Sequence, residues 1–308
     1  MTSTAPYLLT ALGAGDANIS RLVADALLTA GLGVRAMVHR DDGRTDHLRA
    51  RGAEVVVGDL TNPVDVANAL HGVRRAFFNM AVSSEYLEAA TVFAAIASEQ
   101  GGLEVVVNLS QMTVSEMAST SSTESRQQRL HWLAEHVLNW SGLPVVHVRP
   151  TVFLDNPLFT LLPRTSVIEQ GVLALPIAQG RTSPVAAADV ARVVTTVLQE
   201  PSARIGHVYE LTGPEVLDIN GLAAAYGRAL GKPVIGADMG QEQLARQMQT
   251  YRVPDHVGQH ILTVAELHRA DRYDRLTTDV QDVTGRAPES VERFISDRRG
   301  LFDRPSTS

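Results

Sequence analysis

His131 and Glu135 stand four residues apart inside a stretch, 127–140, whose apolar spacing predicts a helix, so their side chains share one face. An imidazole near its ordinary pKa can give up a proton around neutral pH, and a carboxylate one turn away can orient it. Ser110 closes the apolar run 104–109 and is a second group able to orient that histidine or to touch whatever it protonates. Polar residues at strand ends face the crevice of an α/β sheet. Two plainer readings stand beside these: a histidine that packs or caps on its helix, and a hydroxyl that caps the loop after the strand. His131 and His136 fit none of the zinc spacings on a helix, and a third ligand is not visible, so no metal is expected.

A second constellation suits an anion. The apolar run 7–9 leads through Thr10-Ala11-Leu12-Gly13-Ala14-Gly15-Asp16-Ala17 into an amphipathic helix expected over 18–30, from Asn18-Ile19 onward. Unpaired N–H groups and the positive dipole end of such a helix hold a pyrophosphate. Gly13 and Gly15 supply part of the usual three-glycine spacing, and Ser20 stands where the third glycine would let helix and strand approach. The second expected strand, 33–38, runs into His39-Arg40, where a protein preferring NAD places an acid against the ribose hydroxyls. A guanidinium there suits the extra phosphate of NADP; the alternative is a solvated surface arginine. By the same strand-end argument Asp59 and Leu60 bracket the adenine, and Asn79 and Met80 flank the ribose.

These residues need a parallel sheet to bring them together, and the chain has its pattern. Apolar runs at 54–57, 75–79, 104–109 and 145–149 alternate with helical patterns at 64–70, 85–99 and 127–140. Glycines close the helices before Gly33, Leu103 and Leu143. After Pro150 the rhythm changes: residues 151–180 read as a long connection, 185–200 as another helix, 207–211 as a short strand, and the remainder as mostly helical. The Ser- and Thr-rich stretch 115–125 reads as a mobile loop at the site. The expected architecture is therefore α/β, a doubly wound parallel Rossmann sheet over 1–155 to which 182–212 returns. A smaller, mostly helical substrate cap follows over 156–308.

Composition excludes several classes. The 308 residues carry a formal net charge of −7, no cysteine and dispersed arginines. Thiolate chemistry and thiolate-held metals are out, and a chain-wide attraction to nucleic acid or to an anionic membrane is not expected. No run of about eighteen apolar residues is present, and the start leads directly into a strand, so a cytoplasmic protein is expected. No Gly-x-Ser-x-Gly elbow or Walker loop is present. Tyr226, Tyr251, Tyr273, Met239 and Met248 either line an aromatic pocket in the cap or belong to its core.

Taken in order, several stretches resemble the NmrA-like group of atypical short-chain dehydrogenase/reductases. They are Asn18-Ile19-Ser20-Arg21-Leu22-Val23, Val34-Arg35-Ala36-Met37-Val38-His39-Arg40, Gly52 to Leu60, Val107-Asn108-Leu109-Ser110, Ser141-Gly142-Leu143-Pro144, Arg149-Pro150 with Phe153 and Asp155-Asn156, and Tyr209 to Pro214. The resemblance implies NADP(H) lying across the sheet and a small, aromatic substrate between the Rossmann part and the cap. It does not fix a reaction: the family holds reductases of quinones and carbonyls, natural-product tailoring enzymes, and regulators that bind NADP without turnover. Typical short-chain reductases use a tyrosine whose phenol is tuned by a lysine four residues on. This chain has one lysine, Lys232, and no tyrosine between Tyr86 and Tyr209; the corresponding helix offers His131 and Glu135. An NADPH-dependent reductase of an aromatic, quinone-like or carbonyl substrate is the leading reading. A non-catalytic NADP sensor, a cofactor-independent coupling or rearrangement enzyme, and a homodimeric state stay open.

Overall fold

Val, Leu, Ala and Phe runs too short for a helix and flanked by turns form the strands β1 (Tyr7–Leu9), β2 (Val34–Val38), β3 (Glu54–Val57), β4 (Arg75–Phe78), β5 (Val105–Leu109), β6 (Val145–Pro150), β7 (Val172–Leu175), β8 (Val208–Leu211) and β9 (Ile235–Asp238). The computed structural model describes residues 6–12, 18–41 and 43–303. Seven strands make one sheet in the order β3-β2-β1-β4-β5-β6-β8. All are parallel: Leu9 pairs with Ala36 and Phe77, and Phe78 pairs with Asn108. At the β6–β8 edge, His147 N bonds His207 O and Thr151 N bonds Leu211 O, so those strands advance together. The order reverses beside β1, which puts the crevice for a ligand at the carboxyl ends of β1 and β4.

Crossover helices close each unit of the winding: α1 (Ile19–Thr29), α2 (Gly43–Ala50), α3 (Pro63–Leu70), α4 (Tyr86–Gln100) and α5 (Arg126–Trp140). Residues alternate across the pleat, so Leu8, Phe78 and Val106 face a layer that includes Val66, Phe93 and Leu130, whereas Leu9, Phe77 and Val107 point to the other side. All six strand residues are buried, as a sheet covered on both faces requires. Each such side chain contributes about 1.5–3 kcal/mol by leaving water. The expected doubly wound parallel sheet is the one observed.

The chain divides into two compact units, Met1–Met117 with Arg126–Arg149 and Val190–Glu210, and Ala118–Ser125 with Pro150–Asp189 and Leu211–Ser308. Besides the helix α7 (Ala187–Gln199), which crosses the boundary, the second unit carries α6 (Arg164–Gln170), α8 (Ile219–Leu230), α9 (Gln241–Thr250), α10 (Asp255–Arg269), α11 (Asp279–Thr284) and α12 (Val291–Asp297). It is not helical throughout. β7 and β9 form a two-stranded parallel sheet, and β7 and α6 lie within the stretch that reads as a connection. Tyr226, Met239 and Met248 belong to this unit's core, and the Tyr226 hydroxyl donates to the Phe159 carbonyl. Residues 115–125 are not a free loop either. Met112–Glu116 form a 3-10 turn, Ser125 bonds His260 at 2.8 Å, and buried Glu124 accepts from Arg272 at 3.2 Å. No helix among the described residues is long and apolar enough to cross a membrane.

Candidate functional site

Side chains tie the end of β1 to its neighbours. Thr10, fully buried, donates its hydroxyl to Asn79 O at 2.6 Å and accepts from Asn79 N at 2.9 Å, tying the ends of β1 and β4. The Asn79 amide continues to Ser20 Oγ at 3.0 Å, which locks α1 onto the same edge. Ser20 is fully buried, so the serine occupies the tight position expected for it. Ala11 sits at φ +55, a left-handed conformation that a residue with a Cβ adopts at a cost of about 1 kcal/mol. Asn18 caps α1: its Oδ1 accepts from Arg21 N at 3.0 Å and its Nδ2 donates back to Ala11 O at 3.1 Å. The first-turn N–H groups of Ile19 and Ser20 precede any intrahelical acceptor, and the first turn carries no acid. Gly13 and Gly15 lie outside the described residues.

Arg40 is exposed just past β2. Asp59 follows β3 in a tight turn. A Cβ on Gly58 would meet Asp65 Cβ at 2.8 Å and Met37 Cε at 3.0 Å, so the chain passes there only as glycine. The Asp59 carboxyl accepts from the Thr61 N–H and hydroxyl, which hold it below the usual carboxylate range, with His39 adding to the effect. Leu60 and Met80 are half-buried against the layer of α3 and α4.

Ser110 continues the β5 ladder by donating its N–H to Val148 O at 2.7 Å. It therefore lies on the same face as Val106 and Asn108, the face that packs on α5. Ser110 is 2% exposed, and its hydroxyl has no hydrogen-bond partner among the described residues. His131 is on α5, with its ring 4.1 Å from that of Tyr86 and its Nε2 3.3 Å from Gln127 Nε2. Gln127 Oε1 accepts Ser83 N–H, so its amide NH2 faces the imidazole. Glu135 shares the helix but not the partnership that its spacing suggests. Arg149 of β6 takes both of its oxygens, at 3.0 and 2.5 Å, and Glu135 is 4% exposed.

Tyr86, Gln127 and Arg149 are the site neighbours that spacing alone misses. None lies within a turn of its partner apart from Gln127, which precedes His131 by four residues. Tyr86 does not replace a catalytic phenol: it is fully buried, donates to Leu109 O at 3.1 Å, and is pushed far above its ordinary pKa, first by burial and then by the Glu135 charge. Lys232 is far from this role, its ammonium donating to Val167 O at 2.9 Å in the second unit.

A phosphate-bearing dinucleotide fits the edge so built. The first turn of α1 carries no acid, and the buried Ser110 hydroxyl at the β5 end lacks a partner among the described residues. Residues 15–201 match the family model described as NAD(P)H-binding. The chain is 26% identical to the NAD(P)H azoreductase of Xenophilus azovorans over 290 residues, 94% of this chain and 97% of that one. Among solved structures, the NADPH-dependent quinone oxidoreductase of Escherichia coli in complex with NADPH superposes with TM-score 0.80 at 18% identity, over 95% of this chain and 99% of that one. NmrA, a negative transcriptional regulator solved with NADP, gives 0.78 at 16%, over 96% and 95%. The two structural likenesses show a shared fold, the one that the NmrA-like resemblance implies. With its Rossmann sheet and the model spanning most of it, the chain belongs to the NAD(P)H-binding family.

Proposed function

We propose that the protein is an NADPH-dependent reductase of small aromatic, quinone-like or carbonyl substrates. The observation that carries the reading is Ser110, a buried hydroxyl without a partner among the described residues, on the sheet face that His131 also adjoins. A buried polar group left unpaired costs about 1–3 kcal/mol, which a bound ligand relieves. The end-to-end match to an azoreductase supports the same reading.

The N–H groups at the start of α1 bind the pyrophosphate, Arg40 the 2′-phosphate, and the Asp59-Leu60 turn flanks the adenine. When bound, the nicotinamide supplies a hydride. Ser110 orients the ring or the substrate oxygen. Gln127 donates to His131 Nε2, so the neutral imidazole carries its hydrogen at Nδ1 and offers that N–H as a hydrogen bond to the substrate oxygen or nitrogen, while the proton that completes the reduction comes from solvent. Quinones and azo groups accept hydride without a strong acid, which suits a site with no tuned phenol.

Titration with NADPH and NADH, followed by turnover with a quinone and an azo dye, tests the proposal. Tight NADPH binding with turnover supports it, and full activity in His131→Ala removes the histidine from it. Binding without turnover supports a second reading, an NADP-responsive regulator. That reading is favoured by the depth of the acid-base groups, with His131 at 7% exposure and Tyr86 fully buried.

A further inference from the structure

Immediately after Arg40 comes a carboxylate. Asp41 is the first acidic residue past β2, where an acid ordinarily accepts the ribose hydroxyls of an unphosphorylated dinucleotide. Beside a guanidinium meant for a 2′-phosphate it is the wrong charge, because the phosphate brings close to two negative charges of its own. The structure shows how that conflict is handled. Arg49, in the last turn of α2, reaches back and takes Asp41 in a two-pronged pair, Nη1 to Oδ1 at 2.8 Å and Nη2 to Oδ2 at 2.7 Å. Thr45 donates its hydroxyl to Asp41 Oδ1 at 2.5 Å and accepts from Arg49 Nη1 at 2.9 Å, so three side chains close a ring of hydrogen bonds. Thr45 is 3% exposed, which anchors the ring to the interior, whereas the outer faces of Asp41 and Arg49 are open to solvent.

We propose that the Asp41–Arg49–Thr45 clasp is a cofactor-selectivity device, which withdraws an acid of the NAD-preferring kind from the ribose and cancels its charge, so that Arg40 sets a preference for the 2′-phosphate. The inference rests on the dinucleotide reading of the β2 end. Bidentate geometry is what makes it work. Both carboxylate oxygens are taken by the guanidinium fork, and Oδ1 by the Thr45 hydroxyl as well, so a ribose diol has to compete with that pair. Protonation does not do this work: Arg49 and Thr45 hold the Asp41 carboxyl down at about 2, so it stays anionic and its charge is offset only by its partner. Arg49 is thus a specificity residue that need not touch the nucleotide.

The experiment is a set of NADPH and NADH titrations of the full-length protein and of Arg49→Ala, Asp41→Asn and the double variant, at low and high salt. In Arg49→Ala the ratio of NADPH to NADH affinity is expected to fall about tenfold at low salt and less at high salt, as a freed exposed charge dictates. Asp41→Asn keeps or raises the ratio, since it frees Arg49 instead. The double variant returns the ratio to near its starting value. A ratio unchanged in Arg49→Ala overturns the proposal, as does a fall that persists in the double variant or at high salt, or a fall in Asp41→Asn. A wild-type protein that binds neither nucleotide overturns the dinucleotide reading itself, a result separable from all of these.

Discussion

Replacing Glu135 by leucine should destabilise the protein by about 3 kcal/mol, the lower end of the cost of orphaning one member of a buried ion pair. Arg149 would lose two charge-assisted bonds, at 3.0 and 2.5 Å, and keep, among the described residues, only the Glu210 carboxylate at 3.9 Å. Its side chain is 16% exposed, so water reaches it poorly but not negligibly, which places the cost at that lower end. At about 2–4 °C per kcal/mol for a cooperative unit of this size, the midpoint should drop by about 6–12 °C. Glu135→Leu with Arg149→Met removes both charges and should recover to within about 1 kcal/mol of wild type. The assay is thermal and urea unfolding of wild type, both single variants and the double, with coincident circular dichroism and fluorescence transitions as the check on two-state behaviour. A single variant within about 0.5 kcal/mol of wild type, or a double variant as unstable as the sum, refutes the reasoning. Turnover separates a catalytic role from a structural one. If the stable double variant is inactive, Glu135 acts on the reaction and not only on Arg149.

Other expectations follow from single observations. Ser110→Ala should leave the unfolding midpoint unchanged or raise it, because the hydroxyl has no partner among the described residues, while lowering kcat/KM at least about tenfold; a lost midpoint would instead mark Ser110 as a loop cap. His260 and His268 are both held down to about 4 by burial, whereas an unfolded imidazole titrates near 6.5. The unfolded chain then binds more protons between those values, so stability should fall as pH drops from about 6.5 towards 4 and return as pH rises; a slope undiminished in His268→Gln counts against this assignment. Gly58→Ala should be destabilising and should weaken nucleotide binding, since its Cβ would sit 2.8 Å from Asp65 Cβ beside the Asp59 turn; equilibrium binding on the purified variant checks it.

The strands of the large sheet were legible because parallel strands covered on both faces are written as continuous apolar runs, as in Val105–Leu109. α1 was legible from its asparagine cap and apolar stripe. α2 was not: of Gly43–Ala50 the apolar content is one leucine and a terminal alanine, too little to show a period. β7 and β9 escaped because each has four residues and finds its partner some sixty positions away, a pairing no local pattern encodes. At the site, residue types could be read from sequence but their engagements could not. Glu135 meets Arg149 across fourteen positions and Thr10 meets Asn79 across sixty-nine. The helical spacing of His131 and Glu135 is real, but the half-buried Arg149 guanidinium outcompetes an imidazole for the carboxylate because it offers two parallel donors in fixed geometry.

Polar groups at this edge fall into two sets, and the division says which of them are available to a ligand. Thr10, Ser20 and Asn79 bond one another, and Glu135 bonds Arg149; a hydroxyl or carboxylate whose donors and acceptors are already used holds geometry. On the proposed function, recognition falls to groups left without a partner among the described residues: the leading N–H groups of α1, the exposed guanidinium of Arg40 and the Ser110 hydroxyl. Backbone N–H groups are supplied by any residue type, so phosphate binding at α1 places little demand on the identity of the side chains there. At this helix end the demand falls instead on the bonds that hold it in place, from Thr10 to Asn79 and from Asn79 to the buried hydroxyl of Ser20.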